Sequence, residues 1–291
     1  MKKKWVLVLL GAALAMALAG CGQDKKAEGN SANSGKGTNS AAAEASSDQA
    51  VPTTDELFQK MTEVTKDLKS LAMTADSKQK VTIKAGEQTQ EQNIDIQTTA
   101  ELIQEPLAMV QELKMSMGDQ GSQEVKQYIT EDGIYMNTGG TWVKVTDETM
   151  INSVKDAAKQ SADPAKQIEQ FKSIASDMKV SEEGSDYLLT ANLSGDNMKE
   201  LAKSLMSQSG GDTAATAAVL DQMNIDNFKI LYYVNKESYL PSKTTVEMTM
   251  DMEAEGQSVS MEMKMDSTFS KYNEIEAIEV PQEALDNAVE Q

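Results

Sequence analysis

The chain has 291 residues, 27 of them basic and 46 acidic, giving a formal net charge of −19 with no histidine. Every basic residue is a lysine and the one cysteine is Cys21, which excludes Ser-His and Cys-His catalytic pairs, ordinary zinc sites and arginine clamps for phosphate. So negative a chain repels phosphate backbones and anionic headgroups, which argues against nucleic-acid binding and leaves carboxylates, lysines, tyrosines and hydroxyls for any chemistry.

Lys2, Lys3 and Lys4 precede an apolar run from Trp5 to Ala17. Its 13 residues fall short of the roughly 20 that span a bilayer as a helix, so the run reads as the core of a signal peptide. It ends in Leu18-Ala19-Gly20-Cys21, which resembles the lipobox of bacterial lipoproteins. The resemblance implies cleavage between Gly20 and Cys21, a lipid on the Cys21 thiol and often a second acylation (palmitate or a similar chain) at the new amino terminus. Two chains hold a protein stably where one is marginal. A lone unmodified thiol would be a liability in an exported protein, and a modified one is not. The expectation is therefore a signal peptide over residues 1–20, lipidation at Cys21, and attachment to the extracytoplasmic face of the cell membrane. Residues 1–20 hold three lysines and no acid, so the mature chain carries −22.

Residues 21–52 read as the lipidated cysteine and a flexible linker, rich in Gly, Ser, Ala, Asn, Lys and Glu, as in Gly29 to Gly37. Such composition does not repay the entropy of ordering, and about 30 residues of it reach roughly 30 Å. Residues 53–291 are expected to form a single domain.

The domain opens on a capping signature, Thr53-Thr54-Asp55-Glu56, followed by Leu57, Met61, Val64, Leu68 and Leu71 at helical spacing. The period then changes to two: Met73, Ala75, Val81 and Ile83, then Ile94, Ile96, Thr98 and Ala100, then Leu107, Met109, Leu113, Met115 and Met117. Residues 123–145 read as a meander with turns at Glu131-Asp132-Gly133 and Gly139-Gly140. Helices are expected over 147–160, from Asp163 and Pro164 through Ile168, Phe171, Ile174 and Met178, and over 195–206 and 213–223. Tyr187 to Leu193 is a strand between them, and the last third is strand again. Phe228 to Val234 leads to two alternating runs, Val246-Met248-Met250-Met252 and Val259-Met261-Met263-Met265, whose intervening residues are polar. This is antiparallel sheet with one wet and one dry face. Nine to eleven strands with few helices predict an α+β fold, a strongly curved antiparallel sheet covered by the amphipathic helices of 54–71 and 147–223.

Trp142-Val143-Lys144-Val145 after a Gly-Gly turn, Tyr233 to Lys243, and Phe269 to Pro281 resemble an uncharacterised lipoprotein family of Gram-positive bacteria, itself similar to LolA and LppX-type lipoproteins. The resemblance covers about residues 54–282 and implies a LolA-like half-barrel, wrapped around a helix and an apolar cavity that accommodates acyl chains. The arginine ligand contacts of LolA have no counterpart here.

Met248, Met250, Met252, Met261, Met263 and Met265 are the candidate ligand-binding residues. Methionine is flexible and polarizable and suits variable apolar partners, whereas a rigid core favours Leu, Ile and Val. Plain core, a lipid-lined cavity and thioether binding of Cu(I) all remain open for this face; alternate sulfurs on one strand stand about 7 Å apart, too far for one ion without a partner strand. Glu182-Glu183, Glu253-Glu255, Asp119 and Asp132 read as solvated turn carboxylates, the seven tyrosines mostly as packing at sheet edges, and Trp142 as structural. The sequence thus predicts no catalytic residue, metal or cofactor and no enzymatic activity. Its leading reading is a membrane-anchored protein sheltering a lipid or lipid-linked ligand. The alternative is an interaction or sensor module of the cell envelope without a small-molecule ligand.

Overall fold

The computed structural model describes residues 51–118, 121–162, 168, 171–172, 174–193, 223–254 and 257–290. Cys21, Asp119, Pro164, Glu255 and the helices expected over 195–206 and 213–223 lie outside the described residues, except that Met223 begins a strand. Helix α1 (Thr54–Thr65) starts at the expected capping box. The Glu56 backbone N–H donates to Thr53 Oγ1 at 3.3 Å, and the Thr53 N–H donates to the Glu56 carboxylate at 2.8 Å. These bonds to Thr53 hold the Glu56 carboxyl below the usual carboxylate range. A lowered folded pKa means the box contributes fully above the ordinary carboxylate range and is lost as pH falls through the folded value. Thr53→Ala should cost about 1 kcal/mol in a denaturant titration at neutral pH, the usual loss for a cap.

Among the described residues a single sheet of twelve strands follows: β1 (Ser70–Ala85), β2 (Gln88–Ile103), β3 (Ala108–Ser116), β4 (Ser122–Thr130), β5 (Gly133–Thr138), β6 (Thr141–Val145), β7 (Met178–Glu183), β8 (Asp186–Leu193), β9 (Met223–Asn235), β10 (Pro241–Ala254), β11 (Gln257–Ser270) and β12 (Val289–Glu290). Between β6 and β7 lies helix α2 (Glu148–Ala162), and before β12 the short helix α3 (Gln282–Asn287). The strand order is β12-β6-β5-β4-β3-β2-β1-β11-β10-β9-β8-β7. Every pairing is antiparallel except β12 on β6. The two edges do not pair, so the sheet is large, curved and open, as the α+β expectation had it. Strand count exceeds the nine to eleven expected, because β7 and β12 carry too few apolar residues to show an alternation.

The inner face carries two separate cores. On the β7–β9 flank, Leu57, Phe58 and Met61 of α1 pack with Tyr187, Leu189, Ala191, Leu193, Ile230, Tyr232 and Val234. On the β4–β6 flank, Ala158 of α2, with Ile151 and Val154 against it, covers Ile129, Ile134 and Val145. Several readings need correction here. Helix α1 ends at Thr65, so Leu71 of the expected stripe belongs to β1. Met178, at helical spacing from Ile174, opens β7 instead. Glu182 and Glu183 are on that strand rather than in a turn, and Glu182 lies 3.2 Å from Lys236. Glu253 likewise belongs to β10.

The outer face is where the intervening polar residues point. It is laced by cross-strand charges, including Lys264 with Glu247 at 3.4 Å and Lys80 with Glu91 at 3.4 Å, and Lys271 just past β11 reaches Glu101 at 2.6 Å. Exposed pairs of this kind add little stability, roughly 0–1 kcal/mol each; their effect is to keep this face wet. One stretch is dry. Tyr128, Tyr135 and Trp142 on β4–β6 are covered by the tail residues Ala284, Ile278, Val280 and Ala288. The tail is turned onto that face after β11 by Lys271 and Asn273, both at positive φ, a region Asn enters more readily than most residues. Asn273 Oδ1 accepts from the Lys69 N–H at 2.7 Å, the Ile275 N–H donates to Ser70 Oγ at 3.1 Å, and Tyr272 OH donates to the Pro241 carbonyl at 2.6 Å.

Candidate functional site

Between the two cores the inner face is floored by β2, β1, β11, β10 and β9. Register places Met248 opposite Met263 and Met250 opposite Met261, with Met265 opposite Val246 and Met252 opposite Val259. Opposed residues on antiparallel strands share a face, with Cβ atoms roughly 4.5–5.5 Å apart. All six predicted methionines are therefore neighbours on one surface. On β9 they face Phe228, Ile225 and Met223, and on β1 they face Val81, Gln79 and Ser77. The β9 ladder shifts register between Thr249 and Met250, the kind of bulge that bends a sheet locally.

Burial distinguishes the methionines from the flanking cores, although Val81, Ile94, Ile96 and Ile225 on the same floor are buried. Leu57, Met61, Leu189 and Val234 in the β7–β9 core are 0 % exposed. None of the six methionines reaches that state; all are half-buried. Met250 touches the edge of the β7–β9 core. Beside the methionines the floor also carries Gln79 opposite Met263 and Gln92 opposite Val81, both half-buried. Chemically it is an apolar, deformable surface with uncharged hydrogen-bonding groups at its margin. The partner strand that a thioether metal site needs is present, since Met248 faces Met263 and Met250 faces Met261. The residues around them, Phe228, Ile225 and Val81, suit hydrocarbon.

The remaining sequence candidates are dispersed. Asp132 sits exposed in the β4–β5 turn and Glu253 is exposed on β10. Among the described residues, no three carboxylates converge as a metal cage would require. Tyrosines pack into the cores more than at sheet edges: Tyr128 and Tyr135 in the outer cluster with Trp142, Tyr187 and Tyr232 in the inner one. Burial pushes the Tyr232 and Tyr272 phenols far up, so both stay protonated at any physiological pH. Tyr232 is packed 5.1 Å from the ring of Phe171.

A different concavity, of about 870 Å³, opens on the outer side and is lined by Thr82, Lys84, Glu91, Asp251, Glu253 and Ser260 among others. Its walls are mostly the polar residues between the apolar positions of β1, β2, β10 and β11, so it is a polar trough on the outer face rather than an apolar cavity. Sequence reasoning did not single it out. Nor did it find two buried hydroxyls on the inner face, Ser77 and Thr244; the signal was a break in the alternation of β1, where Ser77 and Gln79 stand at apolar positions.

Among family models, one described as a family of unknown function matches residues 53–289. None of the curated proteins matches the chain. Among solved structures the chain is similar to a LolA superfamily protein from Nitrosomonas europaea at 9 % identity and a TM-score of 0.17, covering 80 % of this chain and 96 % of that one. It is similar to a putative outer membrane lipoprotein-sorting protein domain from Vibrio parahaemolyticus at 9 % identity and 0.22, covering 74 % and 91 %. A third is a DUF1329 family protein from Desulfovibrio piger at 9 % identity and 0.22, covering 72 % and 89 %. At those scores the fold rests on this chain's own strand pairing, and the function on its own residues.

Proposed function

We propose that this chain, which belongs to the DUF6612 family of unknown function, is a membrane-anchored protein that shelters an apolar ligand, a lipid or lipid-linked molecule, against its methionine floor. The observation that carries this reading is differential burial on one face. The flanks are sealed under α1 and α2, while six cross-strand methionines between them stay half-buried. A surface that served only as core would be covered as its flanks are, and would favour side chains that specify packing better than methionine. Hydrocarbon against such a floor gains roughly 25 cal/mol for each Å² of apolar area removed from water.

The anchor follows from Cys21 and the segment before it. A tether of that reach keeps the floor close to the bilayer from which a lipid would come. The −22 charge of the mature chain keeps the domain from lying flat on anionic headgroups. The proposed partners are thus the membrane, through the lipid on Cys21, and the sheltered ligand.

The test is to purify the full chain from membranes in mild detergent, exchange the detergent, and identify co-purifying lipid by native mass spectrometry. A defined adduct of lipid mass, lost on organic extraction and regained on adding lipid, is the expected result. A chain that purifies without adducts and does not quench or brighten an uncharged naphthylamine probe would leave the floor as plain core and favour the interaction-module alternative.

A further inference from the structure

Ser77 on β1 and Thr244 on β10 are 9 % and 8 % exposed, and neither Ser77 Oγ nor Thr244 Oγ1 has a hydrogen-bond partner among the described residues. Both lie on the inner face. Ser77 is opposite Met265 and Thr244 is opposite Ser267, and Met265 and Ser267 are alternate residues of the strand between them, β11. The two hydroxyls therefore bracket β11, about 10 Å apart across the sheet and one alternation, about 7 Å, apart along it. Ser267, also buried at 5 %, is between them. Met265 shares the row of Ser77, and the paired methionines begin one alternation further on, at Met263 and Met248.

Ser242 Oγ, two residues before Thr244 on β10, is likewise buried without a partner, whereas several other hydroxyls of the sheet are satisfied. Thr245 Oγ1 donates to Asp266 at 2.6 Å, Thr74 and Thr268 bond each other at 2.6 Å, and Thr130 Oγ1 donates to the Gly133 carbonyl at 3.4 Å. An unpaired buried hydroxyl costs roughly 1–3 kcal/mol. Packing alone does not require that cost here, because Ala75, opposite Ser267, shows that an apolar residue fits the same floor. Charge sets the chemistry of what would pair with them. Along the row Met115, Ile96, Ser77, Met265, Val246, Ile230, Ala191 and Met178 there is no cation and no anion. The lysines of these strands, such as Lys78, Lys229 and Lys264, alternate onto the outer face. A buried carboxylate or phosphate would find no counter-charge there.

We infer that Ser77 and Thr244 are two separate hydrogen-bonding points, about 12 Å apart, each able to hold an uncharged oxygen, an ester carbonyl or a hydroxyl, of an otherwise apolar ligand whose chain lies along the methionines. The inference rests on the ligand-sheltering reading and narrows it to ligands with a neutral polar group inside the chain-binding surface.

The experiment displaces an uncharged naphthylamine probe from the full chain with methyl palmitate, 1-hexadecanol, palmitate and hexadecane. The parent should favour the ester or the alcohol over hexadecane by about ten-fold, the discrimination one buried hydrogen bond supplies. Palmitate should be the weaker competitor beside its own methyl ester. Which of ester and alcohol competes better tells carbonyl from hydroxyl recognition. Ser77→Ala combined with Thr244→Val should collapse the preference over hexadecane toward parity, and Ser77→Ala alone should reduce it. The melting temperature should not fall in either, because each change removes an unpaired buried hydroxyl. Probes that bind with no preference in the parent, or a preference that survives in the folded double variant, would overturn the two hydrogen-bonding points while leaving the sheltering surface intact. Failure of every probe to bind the parent would overturn both.

Discussion

Cys21→Ser is expected to empty the membrane fraction of this protein. The oxygen of serine cannot form the thioether that holds a diacylglyceryl group, and the lipidation step precedes cleavage at a lipobox. The variant should therefore accumulate as an uncleaved precursor or appear in the medium. The size of the effect follows from the arithmetic of anchors: each buried methylene contributes about 0.8 kcal/mol, so losing the proposed acyl chains on Cys21 would change partitioning by many orders of magnitude. Residues 53–290, which hold the described sheet and both inner cores, should keep their melting temperature in the released form. Membrane retention of a normally cleaved Cys21→Ser protein would show that something other than the lipid holds it.

Much of the fold was legible because apolar period and turn chemistry agree along most of the chain. The capping box at Thr53 and Glu56 was explicit, and it forms. The long strands β1, β2, β10 and β11 alternate over enough residues for the face of every side chain to be fixed, and a single-residue slip would invert them all. The register of Met248 with Met263 follows once the hairpin between β10 and β11 closes. What failed was short or borrowed. Met178 stands at helical spacing from Ile174 and Phe171, so β7 was hidden inside an apparent stripe; its own apolar content, Met178 and Val180 in a six-residue strand, is too slight to show a period. Helix α3 spans six residues and buries only Ala284. No sequence period announces that Ile278 and Val280 cross to Tyr128, Tyr135 and Trp142, because that contact is made between segments more than a hundred residues apart.

The candidate site was legible in a narrower sense. Alternation places six methionines on one face, but it carries no information about how completely a face is covered, and coverage is what separates floor from core. The same limit hid the hydroxyls. A serine at an apolar position of β1 looks like noise until the fold shows Ser77 Oγ buried without a partner and Thr244 Oγ1 in the same state two strands away.

Met250 and Met263 distinguish floor from core most sharply, because enlarging and shrinking a side chain have opposite consequences in the two cases. In a close-packed interior, Met250→Ala and Met263→Ala would each leave a void and cost about 2–5 kcal/mol, and Met250→Trp would overpack at about 1–3 kcal/mol. Against an open floor the alanine variants lose only contacts on a half-buried side chain, and tryptophan occupies space the ligand would use. The expected outcome is therefore asymmetric. Met250→Trp should melt within a few degrees of the parent yet lose most of its affinity for a fluorescent fatty-acid ester, whereas Met263→Ala should keep or weakly alter that affinity. Met250 is the more demanding position, since its neighbours include the edge of the α1 core; Met263, whose neighbours are Met248 and Gln79, provides the cleaner reading. Met263→Trp completes the set: loss of binding with unchanged stability there places the ligand over the centre of the floor, between β1 and β10. Severe destabilisation of both tryptophan variants, with no probe binding in the parent, would make the six methionines the interior of an interaction module whose partner engages some other surface.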